Sequence, residues 1–352
     1  MKTRDFLAAG FVVVMGLFAS SGLQAAESAG TDLLQQARQI FKALPQDMGT
    51  PENPLPPARV ELGRMLFFET RVSIDGTVGC VKCHQPFLYG TDGLPRAIGV
   101  KDRVGAHNAP TILNAAVQMA AHWTGNRKDV EDQAMQALIG PGAYGNPSYD
   151  EAMARINAIP GYRAMFEKAF PNEKDPVTPA NWGKAIGAYE RTLVSRSRFD
   201  AYLAGDAKAL TTNEQSGLRK FIGTGCIACH NGVGIGGGMY QKFGVVEVVE
   251  EYWNATASKT HDEGRFGVTK QPSDMYVFKV SSLRNVARTP PYFHDGSVAS
   301  LPEAVKVMAR VQLGKTLPDA DTDDIVAFLN SLTGTLPKEF ATVPELPPAA
   351  FQ

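Results

Sequence analysis

Two pentapeptides hold every cysteine of this 352-residue chain: Cys80-Val81-Lys82-Cys83-His84 and Cys226-Ile227-Ala228-Cys229-His230. Cys-x-x-Cys-His is the attachment pattern of c-type haem. The two thiols add across the haem vinyl groups, and the adjacent histidine reaches the iron as its proximal ligand. The same residue types also build zinc sites and redox dithiols. Zinc would need a fourth ligand at matching spacing near each motif, and none is evident. A dithiol has no use for a histidine in the fifth position, yet it occurs twice. Two covalently bound haem c groups are therefore expected.

The far side of each iron decides function. A sixth protein ligand makes an electron-transfer haem, and an open position makes a reactive one. Methionine there raises the potential. Met308 is the candidate for the second motif, although a methionine on an apolar helix face is also ordinary core packing. Met239 lies nine residues after His230 and reads as loop packing. His107, His122 and His294 sit beside loop signals and His261 lies in a polar stretch, so each reads as a surface or hydrogen-bonding histidine.

The elements that must position these residues read as mostly helical. An apolar 3-4 pattern after Thr31 runs through Leu33, Leu34, Ala37, Ile40 and Phe41. A second helix is expected over Pro57 to Phe68. Ser148-Tyr149-Asp150-Glu151 opens another as a capping box. Thr178-Pro179 starts the longest pattern, running to about Leu203. Thr211 or Thr212 starts a helix leading into the second motif. Asp319 and Asp321 open the last clear helix, whose apolar face is Ile325, Val326, Phe328, Leu329 and Leu332.

Leu62 to His84 and Leu218 to His230 form a weak internal repeat, each passing from a helix through glycine into a motif. The motifs start 146 residues apart, room for one lobe per haem, with a boundary near Ser195 to Asp206. The proline-rich tail from Leu336 carries no helical pattern.

Lys2, Arg4 and the apolar stretch Phe6 to Ala19 read as a secretory signal over residues 1–25, cleaved after Ala25. No later stretch is long and apolar enough to span a bilayer. The net charge of −1 supplies no argument for a nucleic-acid partner. A soluble periplasmic protein is expected.

The chain resembles the bacterial dihaem cytochrome c peroxidases and their relatives of the methylamine-utilisation dihaem oxidase type. The resemblance runs from about Leu55 to Gly334. It is carried by Leu62-Gly63-Arg64-Met65-Leu66-Phe67-Phe68, Asp92-Gly93-Leu94-Pro95, Asn108-Ala109-Pro110-Thr111, Trp123 and Val130-Glu131-Asp132-Gln133-Ala134. In the second half it is carried by Tyr240 to Val245, Lys279 to Val286 and Pro291-Tyr292-Phe293-His294-Asp295-Gly296. It implies two all-α cytochrome c domains, usually in a homodimer. The N-terminal peroxidatic haem domain would span 26–200, joined by the tail 336–352, and the electron-transfer domain 201–335. Electrons would come from a small cytochrome c or a cupredoxin, and hydrogen peroxide would be reduced at the first haem. Met308 falls 14 residues after His294, where the family places its axial methionine. Trp123 matches the tryptophan between the haems, and Gln133 matches the glutamine of the peroxide pocket. A calcium ion is implied, held by Asn108, Thr289 and Pro291 through an amide and backbone carbonyls.

Three departures stand out. Many members carry a histidine 16 residues after the first haem histidine, which caps the oxidised iron; here it is Val100. His107, in the same loop, is the candidate substitute. The pocket glutamate is replaced by the run Gly140-Pro141-Gly142-Ala143-Tyr144-Gly145. Tyr144 is a candidate to donate a hydrogen bond there or to serve as a haem ligand, with packing on the haem edge as the plainer reading, and Glu131 or Glu151 is a candidate to reach in. Trp123 is flanked by His122, a candidate base. The altered pocket leaves two other functions open: a dihaem oxidase of an organic or protein substrate, and a non-catalytic electron carrier or redox sensor.

Overall fold

The computed structural model describes residues 32–247 and 262–348. The expected signal segment and His261 lie outside them. The chain is mostly helical. α1 covers residues 32–40. It is followed by α2 (Pro57–Phe68), α3 (Cys80–Cys83), α4 (Val130–Ala137), α5 (Tyr149–Asn157), α6 (Tyr162–Ala169), α7 (Pro179–Glu190), α8 (Arg198–Ala204) and α9 (Thr212–Thr224). A two-stranded antiparallel ribbon, β1 (Tyr240–Lys242) and β2 (Val277–Lys279), brackets α10 (Phe266–Thr269). The chain closes with α11 (Leu301–Leu313), α12 (Asp319–Ser331) and α13 (Lys338–Ala341). Among the described residues no helix is long and apolar enough to cross a membrane.

The internal repeat has a physical basis in two matching helix pairs. α2 leads to the first motif and lies on α7; α9 leads to the second and lies on α12. Each pair is brought close by one glycine. A Cβ on Gly63 would overlap the Ala185 carbonyl, and one on Gly217 would overlap the Asp324 carbonyl. No other residue type allows so close a backbone approach.

Around these pairs the apolar residues separate into distinct cores. Leu62, Leu66, Trp182 and Ile186 belong to the first, with α5 and α6. Leu218, Phe221, Ile325 and Phe328 belong to the second. Two segments cross over. α1, which the sequence reading assigns to the N-terminal lobe, packs Leu33, Leu34, Ala37 and Phe41 into the second core. The tail runs the other way: Phe340 is fully buried edge-on against Phe67. Arg64 donates to the Glu339 and Thr342 carbonyls, and Arg71 to that of Pro347. Each lobe is thus tied by a segment from the far end of the chain.

The helix expected from Thr178 to Leu203 is broken. α7 stops at Glu190 and α8 starts at Arg198. Long-range polar pairing outweighs local helix propensity between them. Ser195 N–H donates to the Asn114 side chain at 2.8 Å, and Ser197 bridges to Gly334. A Ser197–Asp200 capping box then restarts the helix.

Candidate haem sites and the wall between them

Glycine delivers both motifs into their turns. Gly79 precedes α3, and Gly225, in the left-handed region at φ 103°, ends α9 and releases Cys226 into a short 3-10 turn. In each copy the histidine amide closes back on the first cysteine carbonyl, at 3.0 Å for His84 and 3.0 Å for His230. His84 Nδ1 lies 2.9 Å from the Gly90 carbonyl. A proton on Nδ1 donates there and leaves Nε2 as the ligating nitrogen. Gly236 stands against His230: a Cβ there would lie 3.0 Å from Nδ1.

The sulfurs sit in surroundings that disfavour a thiolate. Burial pushes the Cys80 thiol up to about 12, and Cys83 and Cys226 each up to about 11. Zinc needs its cysteines deprotonated. Among the described residues no group of three or more His, Cys, Asp or Glu is placed to hold a metal ion. Neutral sulfur beside one histidine fits thioether attachment of haem.

The second motif opens on an apolar cavity with about 1690 Å³ of empty space, its mouth included. Cys226, Cys229, His230 and Met308 all line it, with Phe221, Leu301, Val305 and Leu329. On α11, Ala304, Val307, Ala309 and Val311 are buried, while Met308 is only half-buried and borders the cavity. Val305 on the same helix shares that half-buried place at the cavity.

The far wall of the cavity joins the lobes. Trp123 Nε1 donates to the Asn108 carbonyl at 2.9 Å, and Asn108 N–H donates to the His294 carbonyl at 2.8 Å. The Trp123 and His294 rings lie 6.4 Å apart, and His294 stacks on Phe278 at 4.1 Å. Asn108, Thr289 and Pro291 share this wall. The Asn108 amide nitrogen is committed to the Leu94 carbonyl, which turns the amide oxygen to other partners.

The remaining candidates fall in different places. His107 pairs through Nε2 with Asp262 at 2.7 Å, and its ring lies edge-on to Phe278 and His294. His122, at φ 67°, lies on the cavity wall and faces Asn126 at 2.8 Å. Burial, helped by the charge of Arg127, pushes it down to about 4, so it is neutral at pH 7. Gln133 is half-buried on α4. Tyr144 is fully buried, edge-on to Trp182 at 5.7 Å, with its hydroxyl 3.6 Å from Cys80 Sγ. That places it at the attachment edge. Val100 is buried against the turn that carries Tyr144, its N–H donating to the Ala143 carbonyl at 3.3 Å.

Of the two candidate acids, Glu131 is held by Arg191 through two hydrogen bonds, 2.6 and 3.0 Å, and Glu151 is exposed at the start of α5. One acid was overlooked: Glu190, 4% exposed at the end of α7. A charged residue closing the apolar run Ala185 to Tyr189 was its signal in the sequence. Lys279, buried with its ammonium on the Gln118 side chain, was quoted only as part of a longer string.

Two Cys-x-x-Cys-His sites, each led into by one helix of a matching pair, define a dihaem c-type protein. Comparison with known proteins is specific. The sequence profile of the di-haem cytochrome c peroxidases matches residues 57–208. Cytochrome c551 peroxidase of Pseudomonas aeruginosa is 40% identical over 316 residues, covering 89% of this chain and 90% of that protein. Its counterpart from Nitrosomonas europaea is 39% identical over 334 residues, 95% and 92% of the two chains. A solved MauG-like protein associated with microbial copper homeostasis superposes with a TM-score of 0.72 at 28% identity, covering 86% of this chain and 97% of that one. The chain belongs to the di-haem cytochrome c peroxidase family.

Proposed function

We propose that this protein is a periplasmic dihaem cytochrome c peroxidase, with one cytochrome c-like domain around each helix pair. It reduces hydrogen peroxide to water with electrons from a small cytochrome c or a cupredoxin. The observation that carries the reading is the apolar cavity bordered by Cys226, Cys229, His230 and Met308, with Trp123 in its wall. When bound, the haems supply the one-electron and peroxide chemistry.

The chain's own residues do the rest. His230 and Met308 would hold the second iron, and the thioether would favour its reduced state. Apolar walls keep water from that site. Trp123, fixed by its bond to Asn108, is the relay between the lobes. His84 is oriented by Gly90 at the reactive site, and Gln133 positions peroxide. Asn108, Thr289 and Pro291 would hold a calcium ion through an amide and backbone carbonyls, and two copies of the chain would form the working dimer. Val100 cannot bind iron and would leave the first site open when fully oxidised.

The test is steady-state peroxide consumption with reduced cytochrome c, started from fully oxidised and from pre-reduced enzyme. Turnover without a lag from both is expected, with a high-spin component in the resting EPR spectrum. A purely low-spin resting spectrum would overturn the open site. Negligible turnover from either state, with both haems present and calcium supplied, would overturn the peroxidase.

A further inference from the structure

The cavity at the second motif carries a permanent cation and no permanent anion. Among the described residues that line it, Lys279 is the one lysine, and there is no arginine, aspartate or glutamate. Lys279 ends β2, opposite Tyr240 of β1. The whole strand is buried, and Lys279 is only 8% exposed. Little of the side chain meets water, where a lysine normally keeps its ammonium.

Backbone contacts tie this lysine to the site. Its N–H donates to the Trp123 carbonyl at 2.7 Å, and the Gly237 N–H donates to the carbonyl of Val280 at 2.9 Å. Gly236 touches both the strand's continuation and the proximal histidine: a Cβ there would lie 2.4 Å from the Ser281 carbonyl oxygen and 3.0 Å from His230 Nδ1. The ammonium donates to the Gln118 side-chain oxygen. Gln118 is pressed on Gly237, where a Cβ would lie 2.6 Å from its Cγ.

A neutral amide supplies a hydrogen bond but no opposite charge. Buried charges in proteins are paired, because an unpaired one loses its hydration without compensation. The charge of this cavity is therefore balanced only by an anion bound inside it. Haem c fits that demand. Cys226, Cys229 and His230 border the same cavity, and the group keeps both propionates after its vinyls are used.

We propose that Lys279 is the counter-ion and hydrogen-bond donor of one propionate of the second haem, with Gln118 bracing the ammonium. The inference rests on the reading that the second motif carries haem c. A cation there opposes the negative charge that reduction brings, so Lys279 raises the potential of that haem alongside Met308. Its backbone bond to Trp123 puts the propionate edge and the relay on one residue.

The test uses the holoenzyme, each haem followed separately by potentiometry and by resonance Raman spectroscopy. Lys279→Leu removes both the charge and the donor. Its second-haem potential should fall by the equivalent of a tenfold shift in the oxidised-to-reduced ratio, about 59 mV for one electron. The propionate bending modes of that haem should move, and the first haem should be unchanged. Lys279→Arg keeps the charge and changes the donor, so the potential should stay near that of the wild type while the same modes move. Unchanged modes in Lys279→Leu overturn the proposal, even with a lowered potential, because the charge then acts from a distance. Modes that move on the first haem instead overturn the assignment to the second. If Lys279→Leu does not fold, Lys279→Arg decides, and propionate modes identical to the wild type overturn the proposal. A proteolytic peptide holding Cys226 and Cys229 without haem would sink the underlying reading, whereas haem on that peptide with unmoved modes would sink Lys279 alone.

Discussion

Glu131→Gln separates a structural carboxylate from a catalytic one. Arg191 is only 5% exposed, and its guanidinium is held by both Glu131 oxygens and by the Met48 carbonyl. Glutamine keeps one acceptor but removes the charge, leaving a buried cation without its counter-ion. Breaking such a pair costs on the order of 3–5 kcal/mol. The retained acceptor and the Met48 carbonyl put this variant near about 3 kcal/mol. At roughly 2–4 °C per kcal/mol, the melting midpoint falls by about 6–12 °C. Glu151→Gln is the control: exposed on α5, it shifts stability by no more than about 0.5 kcal/mol. Both variants are followed by thermal circular dichroism and by peroxide turnover per haem, measured well below either midpoint. Turnover of Glu131→Gln should then be close to that of the wild type. If instead its midpoint matches that of Glu151→Gln and its turnover collapses, Glu131 is a pocket acid and the assignment made from its geometry is wrong.

Two further perturbations address the sites. Met308→Leu conserves volume and costs less than about 1.5 kcal/mol. It deprives the second iron of its thioether, so that haem's potential falls and its methionine-ligated optical signature disappears; an unchanged potential would refute Met308 as ligand. Gly63→Ala drives a Cβ into the Ala185 carbonyl and Tyr189. It forces α2 and α7 apart at a cost of about 1–3 kcal/mol, and a melting midpoint equal to the wild type would show that the close approach is unnecessary.

Local chemistry was legible in the sequence because it is written in adjacent residues. The haem motifs, the Pro57–Phe68 helix, the Thr211 cap and the start of α12 depend on near neighbours. The relation between distant segments was not legible. Nothing in the pattern of α1 says that Leu33 and Phe41 join the core of the other lobe, and Ser195 finds Asn114 only once the fold is closed. The same limit governed the site. Glu131 sits in a string that matches the peroxide-pocket region, yet its direction is set by Arg191, 60 residues away. Glu190 went unremarked because a glutamate in a helix is ordinary until burial and a second acid surround it.

The two departures at the first site meet in one packed unit. Val100 N–H donates to the Ala143 carbonyl, within the turn where the family pattern has its acid. Gly145 N–H closes that turn on the Gly140 carbonyl, at a φ of 67° that favours glycine. A Cβ at Gly145 would lie 2.5 Å from Val100 Cγ1, so the turn and the valine leave each other no slack. A Cβ at Gly99 would lie 2.0 Å from the Gly142 carbonyl oxygen. Loss of the capping histidine and loss of the pocket acid therefore sit on two surfaces shaped to each other. A site without a cap is exposed to peroxide in every redox state.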